Sequence, residues 1–559
     1  MKKKLLPVLT VLCLIILVIG VGMVTLLIKR YAPSKEKMDG AEYFQVTGED
    51  EAALIVNRTV TGEKVKIIDG RYYVENAVVG KYINGRFYWD GKQNVMLYTL
   101  PTEEFQITPD TQEYQTSQGV QSVDYVILKS QGDTCYLDLE FVAAYTDMTY
   151  MVYENPNRVA IQTRWGDTRM VEVNEKSVIR QKGGIKSTIL TEVQAGDLLY
   201  LEEELENWSK VATDDGYTGY IQKKDISQPE TITLTHTSTA PEYTNIRKDY
   251  KINLGWHQVT SQEGNAALAS IVANTQGLNT ISPTWFSVVD NAGTISSLAS
   301  ADYVNQAHGM GLEVWGLIDN FNTNADTLTF LSDTQVRANI INQLMAQADA
   351  VGLDGINLDF ESITEEQAPH YVQFIRELSI ACRNRGLVFS IDNPVPMPYN
   401  RFYNRKEQGI VADYVIIMGY DEHYSGSDAG SVASLPWVEQ GIQDTLEEVP
   451  ADRVINAVPF YTRLWKTTGG AVTSEAIGMD QAQQVISEKN VETYWDKNTS
   501  QNYGTYEEDN STYQIWLEDA ESIAAKVKLA SKYKLAGVAA WKLGFENSGI
   551  WQVITDNLQ

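Results

Sequence analysis

Sulfur and imidazole are scarce in this chain: its 559 residues hold three cysteines and five histidines. The histidines show no paired ligand spacing and the cysteines stand far apart, so neither a cysteine zinc site nor a disulfide framework is readable. Cys13 falls in an apolar run, which leaves Cys135–Cys382 as the one pairing still open. Basic residues are short as well, 45 against 73 acidic, for a formal charge of −28. A surface of that sign repels nucleic-acid phosphates and anionic lipid headgroups, which excludes nucleic acid as a partner. What remains is ordinary globular composition, 43% hydrophobic and 21% charged, and a length that predicts about three or four domains rather than one core.

Charge is also missing from one long stretch. Lys2, Lys3 and Lys4 precede Leu5 to Ile28, 24 residues without a charge, and Lys29 and Arg30 close it. At about 1.5 Å per residue such a helix reaches roughly 36 Å, enough to span hydrocarbon with some tilt. A secretory signal has a shorter apolar region, about 7–15 residues, and a small-residue cleavage site. Residues 1–30 are therefore expected to be a retained transmembrane anchor, with a cleaved signal as the alternative.

Residues 40–165 carry a weak internal repeat. The first copy runs Arg71–Val74, a helix-like Asn76–Tyr82, Phe87–Asp90 and Val95–Tyr98; the second runs Cys135–Asp138, Glu140–Tyr145, Thr149–Tyr153 and Arg158–Ile161. Strand, short helix, strand, turn, strand is a recurring unit. It resembles the module at the N-terminus of copper amine oxidases that bacterial surface proteins reuse. No histidine cluster accompanies it, so copper is not implied and its aromatic residues read as core.

Residues 169–227 read as a small β-barrel of short alternating strands between Gly and Asp turns. Ala195-Gly196-Asp197, Trp208-Ser209-Lys210-Val211 and Gly216-Tyr217-Thr218-Gly219-Tyr220-Ile221 resemble bacterial SH3-like domains. That family binds wall peptide or glycan, or serves as a spacer. A linker rich in Thr, Pro and Ser follows at 228–249.

From residue 250 to 559 apolar strands alternate with helical stretches, the pattern of a parallel α/β sheet. The candidate strands are Lys251–His257, Thr280–Val288, Glu313–Ile318, Gly355–Phe360, Val388–Ile391, Tyr414–Gly419, Val454–Pro459 and Gly537–Trp541. Eight strands over this length predict a (β/α)₈ TIM barrel. Residues 466–516, with turns and little barrel periodicity, are expected to form a small α+β insertion between strands seven and eight.

In such barrels the active site lies at the C-terminal strand ends. The fourth strand reads Leu353-Asp354-Gly355-Ile356-Asn357-Leu358-Asp359-Phe360-Glu361. Strand alternation puts Asn357, Asp359 and Glu361 on one face and Ile356, Leu358 and Phe360 on the other. Two carboxylates that close raise one pKa, as a general acid near neutral pH requires; a plain half-buried strand with a polar face is the competing reading. The other strand ends bring Trp256 and His257, Trp285 and Phe286, Trp315, Met418-Gly419-Tyr420-Asp421, Pro459-Phe460-Tyr461 and Trp541. Aromatic rings around carboxylates suit a sugar polymer, stacking on pyranose faces while polar groups read hydroxyls and amides. Trp285 is among the rings expected to bind substrate.

With these motifs the region 250–559 resembles glycoside hydrolase family 18. Asp354 to Glu361 is similar to its D-G-x-D-x-D-x-E signature, Met418-x-Tyr420-Asp421 to its strand-six motif, and Trp541 to its strand-eight tryptophan. The module order and Tyr420-Asp421-Glu422-His423-Tyr424-Ser425-Gly426-Ser427 most resemble the branch of spore-cortex-lytic N-acetylglucosaminidases, which act on peptidoglycan. The resemblance implies Glu361 as general acid and a substrate 2-acetamido group as internal nucleophile, with net retention. It implies Asp359 and Tyr420 as partners of that acetamido group, with Asp359 helping to keep Glu361 protonated. Asn357, Met418 and Asp421 would line the substrate site, and Trp541 would floor it. No metal or organic cofactor is required.

Asn357 departs from the family, whose motif carries aspartate there. An amide cannot share a proton with Asp359, so a simpler pKa coupling and a shifted pH dependence are expected. The implied activity is hydrolysis of β-1,4 linkages beside N-acetylglucosamine in peptidoglycan. The alternatives are a chitinase or chitooligosaccharide hydrolase, or a glycan-binding wall protein without turnover. Flanking basic residues decide orientation weakly, and a catalytic part outside the cytoplasmic membrane fits a wall polymer. Oligomeric state is not readable.

Overall fold

Runs rich in Val, Ile and Leu between residues 252 and 541 fold as strands buried on both sides, as parallel sheets require. The computed structural model describes residues 5–132, 134–237 and 242–559. Two units divide the chain: Met1–Trp89, Ile107–Tyr114 and Val120–Ala240 form one, and Asp90–Gln106, Gln115–Gly119 and Pro241–Gln559 the other.

The second unit holds the predicted barrel. Its strands are β1 (Ile252–His257), β2 (Thr280–Val288), β3 (Glu313–Asp319), β4 (Gly355–Asp359), β5 (Val388–Pro394), β6 (Tyr414–Met418), β7 (Val454–Pro459) and β8 (Gly537–Trp541). Each pairs in parallel with the next, and β1 pairs with both β2 and β8, which closes the ring. A short strand, Ile295–Ser297, adds antiparallel to β2 on the outside.

Inward residues of the strands fill the lumen, among them Leu254, Trp256, Trp315, Leu317, Tyr414, Ile416 and Ile455. Outward residues, including Ile356, Leu358 and Phe360, pack under the surrounding helices. Phe360 stacks on Phe374 at 5.4 Å and meets Phe330 edge-on at 6.0 Å.

The approach to β4 is set locally. Asp333 caps the helix Thr334–Val351 by accepting from the backbone N–H of Gln335 and Val336, and Gly352, left-handed at φ 79°, ends it. Asp354 then accepts from the Val314 N–H at 2.7 Å and bonds His308 Nε2 at 2.8 Å, which pins the start of the strand. Gly355 is required by close approach, because a Cβ there would stand 2.8 Å from the Val388 carbonyl and 2.9 Å from the Trp315 ring.

Between β7 and β8 lies the α+β insertion, a five-stranded sheet with the helix Met479–Glu488. It begins at Tyr461, a few residues earlier than expected, because a hairpin pairs Tyr461–Thr468 with Ala471–Gly478 along its whole length. A fully buried pair, Lys526 to Glu518 at 2.9 Å, lies where it returns to the barrel, and Gln501 of the insertion donates to Glu518 at 2.8 Å.

In the first unit a seven-stranded sheet holds Arg71–Glu75 of the first copy and the three strands of the second, and Arg71–Glu75 pairs antiparallel with Thr134–Asp138; Phe87–Asp90 and Val95–Thr99 belong to a separate five-stranded sheet. A second seven-stranded sheet spans Gly166 to Leu234 around Val171, Ile179, Leu199, Val211 and Ile221. The helix Leu5–Tyr31 is long and apolar enough, by length and composition, to cross a membrane. Cys13, Cys135 and Cys382 are free thiols, so the Cys135–Cys382 pairing left open by the sequence does not form.

Candidate active site

Register places a row of polar side chains at one level across the barrel mouth. Ser287 of β2 pairs with Asp319 of β3, and Asp319 with Asp359 of β4. Leu358 pairs with Ile391, so Asp359 and Asp392 follow at the same height on β4 and β5. Neighbouring strands run about 4.8 Å apart and paired residues point the same way, which crowds three aspartates onto one side of the rim. One layer below, Asn357 sits with no exposure. Its Oδ1 accepts from Trp256 Nε1 at 2.9 Å and Ser282 Oγ at 3.1 Å; its Nδ2 donates to Asp392 Oδ1 at 2.8 Å and Ser390 Oγ at 3.1 Å.

Above this row opens a cavity of about 380 Å³, lined by Asp359, Glu361, Asp392, Met418, Tyr420, Asp421, Tyr461 and the rings of Trp256, Trp437 and Trp541. Trp256 and Trp541 lie 6.0 Å apart and inclined at 60°. Phe321, Tyr399 and Tyr424 stand exposed at its edge, at 54, 73 and 56%. That size and mixture of rings and carboxylates suits a small-molecule or sugar site.

Burial dominates the electrostatics. It pushes the Asp359 carboxyl well above the usual carboxylate range, and the charges of Asp392, Glu361 and Asp319 push it further. Asp392 is raised by burial and by Glu361, against the stabilising bond from Asn357. Glu361 is raised by burial first and then by Asp421 and Asp319, and it also repels Asp359, whose own carboxyl is raised by the Glu361 charge. Asp359 Oδ1 is buried and has no hydrogen-bond partner, an arrangement that calls for a donor. No cluster of ligating side chains that could hold a metal occurs among the described residues.

Glu361 follows the end of β4 and its backbone is clasped by Asn320. The Glu361 N–H donates to Asn320 Oδ1 at 2.9 Å, and Asn320 Nδ2 donates to the Glu361 carbonyl at 3.0 Å. The Tyr461 hydroxyl donates to Asp421 Oδ1 at 2.5 Å, fixing a residue that itself sits at φ 64°.

Of the eight residues expected from sequence to serve catalysis or bind substrate, Asp359, Glu361, Met418, Tyr420, Asp421 and Trp541 meet at this one cavity. Two do not. Trp285 is 2% exposed, donates to Asn265 at 2.8 Å and packs beside Tyr303 under the helices; a shift in strand register between Thr284 and Phe286 accompanies its outward turn. Asn357 lies beneath the lining, bonded to Asp392 and Trp256. Asp392 and Asn320 escaped sequence reading. The expected strand five stopped at Ile391, although Ser390-x-Asp392 repeats the spacing of Asn357-x-Asp359. The simpler coupling expected from Asn357 is overturned, because Asp392 brings a second buried carboxyl beside Asp359.

Residues 319–546 match the family model for glycosyl hydrolases family 18, and residues 178–227 match the bacterial SH3 domain. The uncharacterized glycosylase YvbX of Bacillus subtilis is 26% identical over 290 residues, covering 50% of this chain and 84% of YvbX. The cortical fragment-lytic enzyme of the same organism is 27% identical over 235 residues, 40% of this chain and 54% of that enzyme, so the match spans about half of its length. Among solved structures, the Bacillus cereus spore cortex-lytic enzyme SleL gives a TM-score of 0.51 at 21% identity, over 58% of this chain and 79% of that one. A chitinase from Chromobacterium violaceum gives 0.50 at 23% identity, over 55 and 99%. These likenesses show the barrel fold.

Proposed function

Because the C-terminal barrel is a family 18 glycosyl hydrolase domain in a chain that also carries a bacterial SH3 domain, we propose that the protein cleaves β-1,4 linkages beside N-acetylglucosamine in peptidoglycan, with the substrate's own amide as nucleophile. The observation that carries this reading is the pairing at the end of β4. Glu361 has a raised carboxyl pKa and borders the cavity, and two residues away Asp359 presents a buried oxygen without a partner. An acetamido N–H is the donor that oxygen lacks.

In this reading Glu361 gives its proton to the glycosidic oxygen as the bond to the anomeric carbon breaks. The acetamido oxygen forms the new bond to that carbon from the opposite face, and an oxazolinium ion results. Water then attacks the anomeric carbon, Glu361 takes the water's proton, and the amide is restored with net retention. Asp359 holds the amide N–H and offsets the developing positive charge. Tyr420 bonds the same acetamido group, Met418 and Asp421 border it, and Trp541 floors the ring. The exposed rings of Phe321, Tyr399 and Tyr424 offer platforms for neighbouring sugars of a longer strand.

Peptidoglycan is favoured over chitin by the names of the cortical fragment-lytic and spore cortex-lytic relatives; the chitinase likeness keeps chitooligosaccharides as the second reading. The helix Leu5–Tyr31 would anchor the chain, with the barrel on the wall side of the membrane; release of the full chain by an alkaline wash would contradict the anchor. The substrate test incubates the full chain in detergent with purified peptidoglycan and, separately, with N-acetylglucosamine oligomers, beside Glu361→Gln. New reducing ends from peptidoglycan alone, lost in the variant, support the reading. Release from oligomers alone shifts it to a chitinase, and release by neither or by both proteins overturns it.

A further inference from the structure

Asp392 has no counterpart in the sequence motif that defines the site, yet it is as buried as any residue there, at 1% exposure, and borders the same cavity. Its place follows from two facts. Strand register sets it level with Asp359 on the adjoining strand. Asn357, whose orientation is fixed by acceptance from Trp256 and Ser282, can only turn its amide N–H groups toward Asp392 and Ser390.

Resting on the hydrolase reading above, we propose that Asp392 is a positioning residue that takes over, from β5, the part an aspartate would play at position 357. Asn357 serves as a fixed donor to Asp392, and Asp392 receives the proton that Asp359 releases when Asp359 becomes the acceptor for the substrate amide. The step balances within the pair: one O–H bond breaks at Asp359, one forms at Asp392, and the net charge of the pair is unchanged.

The physical reason is the number of charges the site can hold. Two carboxyls buried side by side do not both ionise at neutral pH, so the pair holds one proton. Before substrate arrives, the N–H from Asn357 favours charge on Asp392, while the unpartnered Asp359 oxygen favours the proton on Asp359. An incoming amide N–H reverses that preference. The other titratable groups facing the pair are Glu361 and Asp319, with Tyr371, Tyr403 and Tyr420 beyond them. Arg405 stands farther out, 5.7 Å over the Tyr403 ring, and the charges acting on the two carboxyls themselves are all acidic, so the proton's partner is the second carboxyl.

The test moves the carboxyl back. Asp392→Asn should lower kcat by roughly 10- to 100-fold with a smaller change in KM, and should shift the acid limb of the pH–rate profile to lower pH. The double variant Asn357→Asp/Asp392→Asn returns a carboxyl to β4 and should recover most of kcat and the original limb. A purely structural role for Asp392 would give no such recovery. A second readout does not need turnover: in protein labelled at Asp carboxyl carbons, the NMR titration of Asp359 should move to lower pH in Asp392→Asn. A wild-type pH profile in Asp392→Asn, a folded double variant no better than the single, or an unmoved Asp359 titration overturns the proposal. If the wild-type chain cleaves no glycan, the hydrolase reading fails on its own, and the Asp359 titration still decides whether the two carboxyls share a proton.

Discussion

Asn320 holds Glu361 by its backbone, accepting from its N–H at 2.9 Å and donating to its carbonyl at 3.0 Å. The clasp joins the end of β3 to the second residue past β4, where regular strand pairing has ceased. It therefore fixes the direction in which the Glu361 side chain leaves the barrel. Asn320→Ala should cost about 100-fold in kcat, the scale on which small misplacements of a reacting group act, while KM changes little. Steady-state kinetics on the glycan that the wild type cleaves would check this. An unchanged kcat in a folded variant would remove the clasp from the account.

The charge of Asp421 is one of the two that raise Glu361 beyond the effect of burial. A general acid works only while protonated, so activity is lost as pH climbs through its raised pKa, and the alkaline limb of the profile reports it. Asp421→Asn removes a negative neighbour, makes Glu361 easier to ionise and should move the alkaline limb to lower pH. A limb that stays in place, or moves upward, would show that the limb belongs to another group.

Raised carboxyls also shape stability. In Asp359 and Asp392 the folded-state pKa lies above the unfolded value. Their contribution is therefore fully present below about pH 4, where the unfolded chain is protonated too, and is lost as pH rises through the folded values. Asp392→Asn takes one of these groups away. It should raise Tm at pH 8 and alter it little at pH 4, trading catalytic competence for stability. Thermal unfolding at both pH values is the check; an equal shift at both would contradict the linkage.

Much of this architecture is legible from residue types. The eight apolar runs from Ile252 to Trp541 had to be strands buried on both faces, and the alternation of Asn357, Asp359 and Glu361 against Ile356, Leu358 and Phe360 survives in the folded chain as lumen side against helix side. What escaped is pairing across strands. Asp392 matters because it stands level with Asp359, and no spacing within β5 reveals that. Trp285 misled for the opposite reason: a tryptophan near a strand end looks like a sugar platform, but at a register shift between Thr284 and Phe286 it lies under the helices.

The buried pair Lys526–Glu518 ties the insertion to the helix Ala520–Lys532 that precedes β8, with Ser522 and Gln501 also bonded to Glu518. Removing one partner leaves the other charge uncompensated in the interior, which costs about 3–5 kcal/mol. Lys526→Met should lower the urea midpoint accordingly, and Lys526→Met/Glu518→Gln should recover part of it. A loss below about 1 kcal/mol for the single variant would show the site reached by water.

In the proposed reaction Glu361 acts as acid while the substrate supplies the nucleophile. Proton NMR of the anomeric signals during the first minutes of cleavage tests it most directly, before mutarotation blurs the products. The newly formed reducing end should appear first as the β-anomer, and Glu361→Gln should yield none. An initial α-anomer, which marks direct attack by water with inversion, would contradict it.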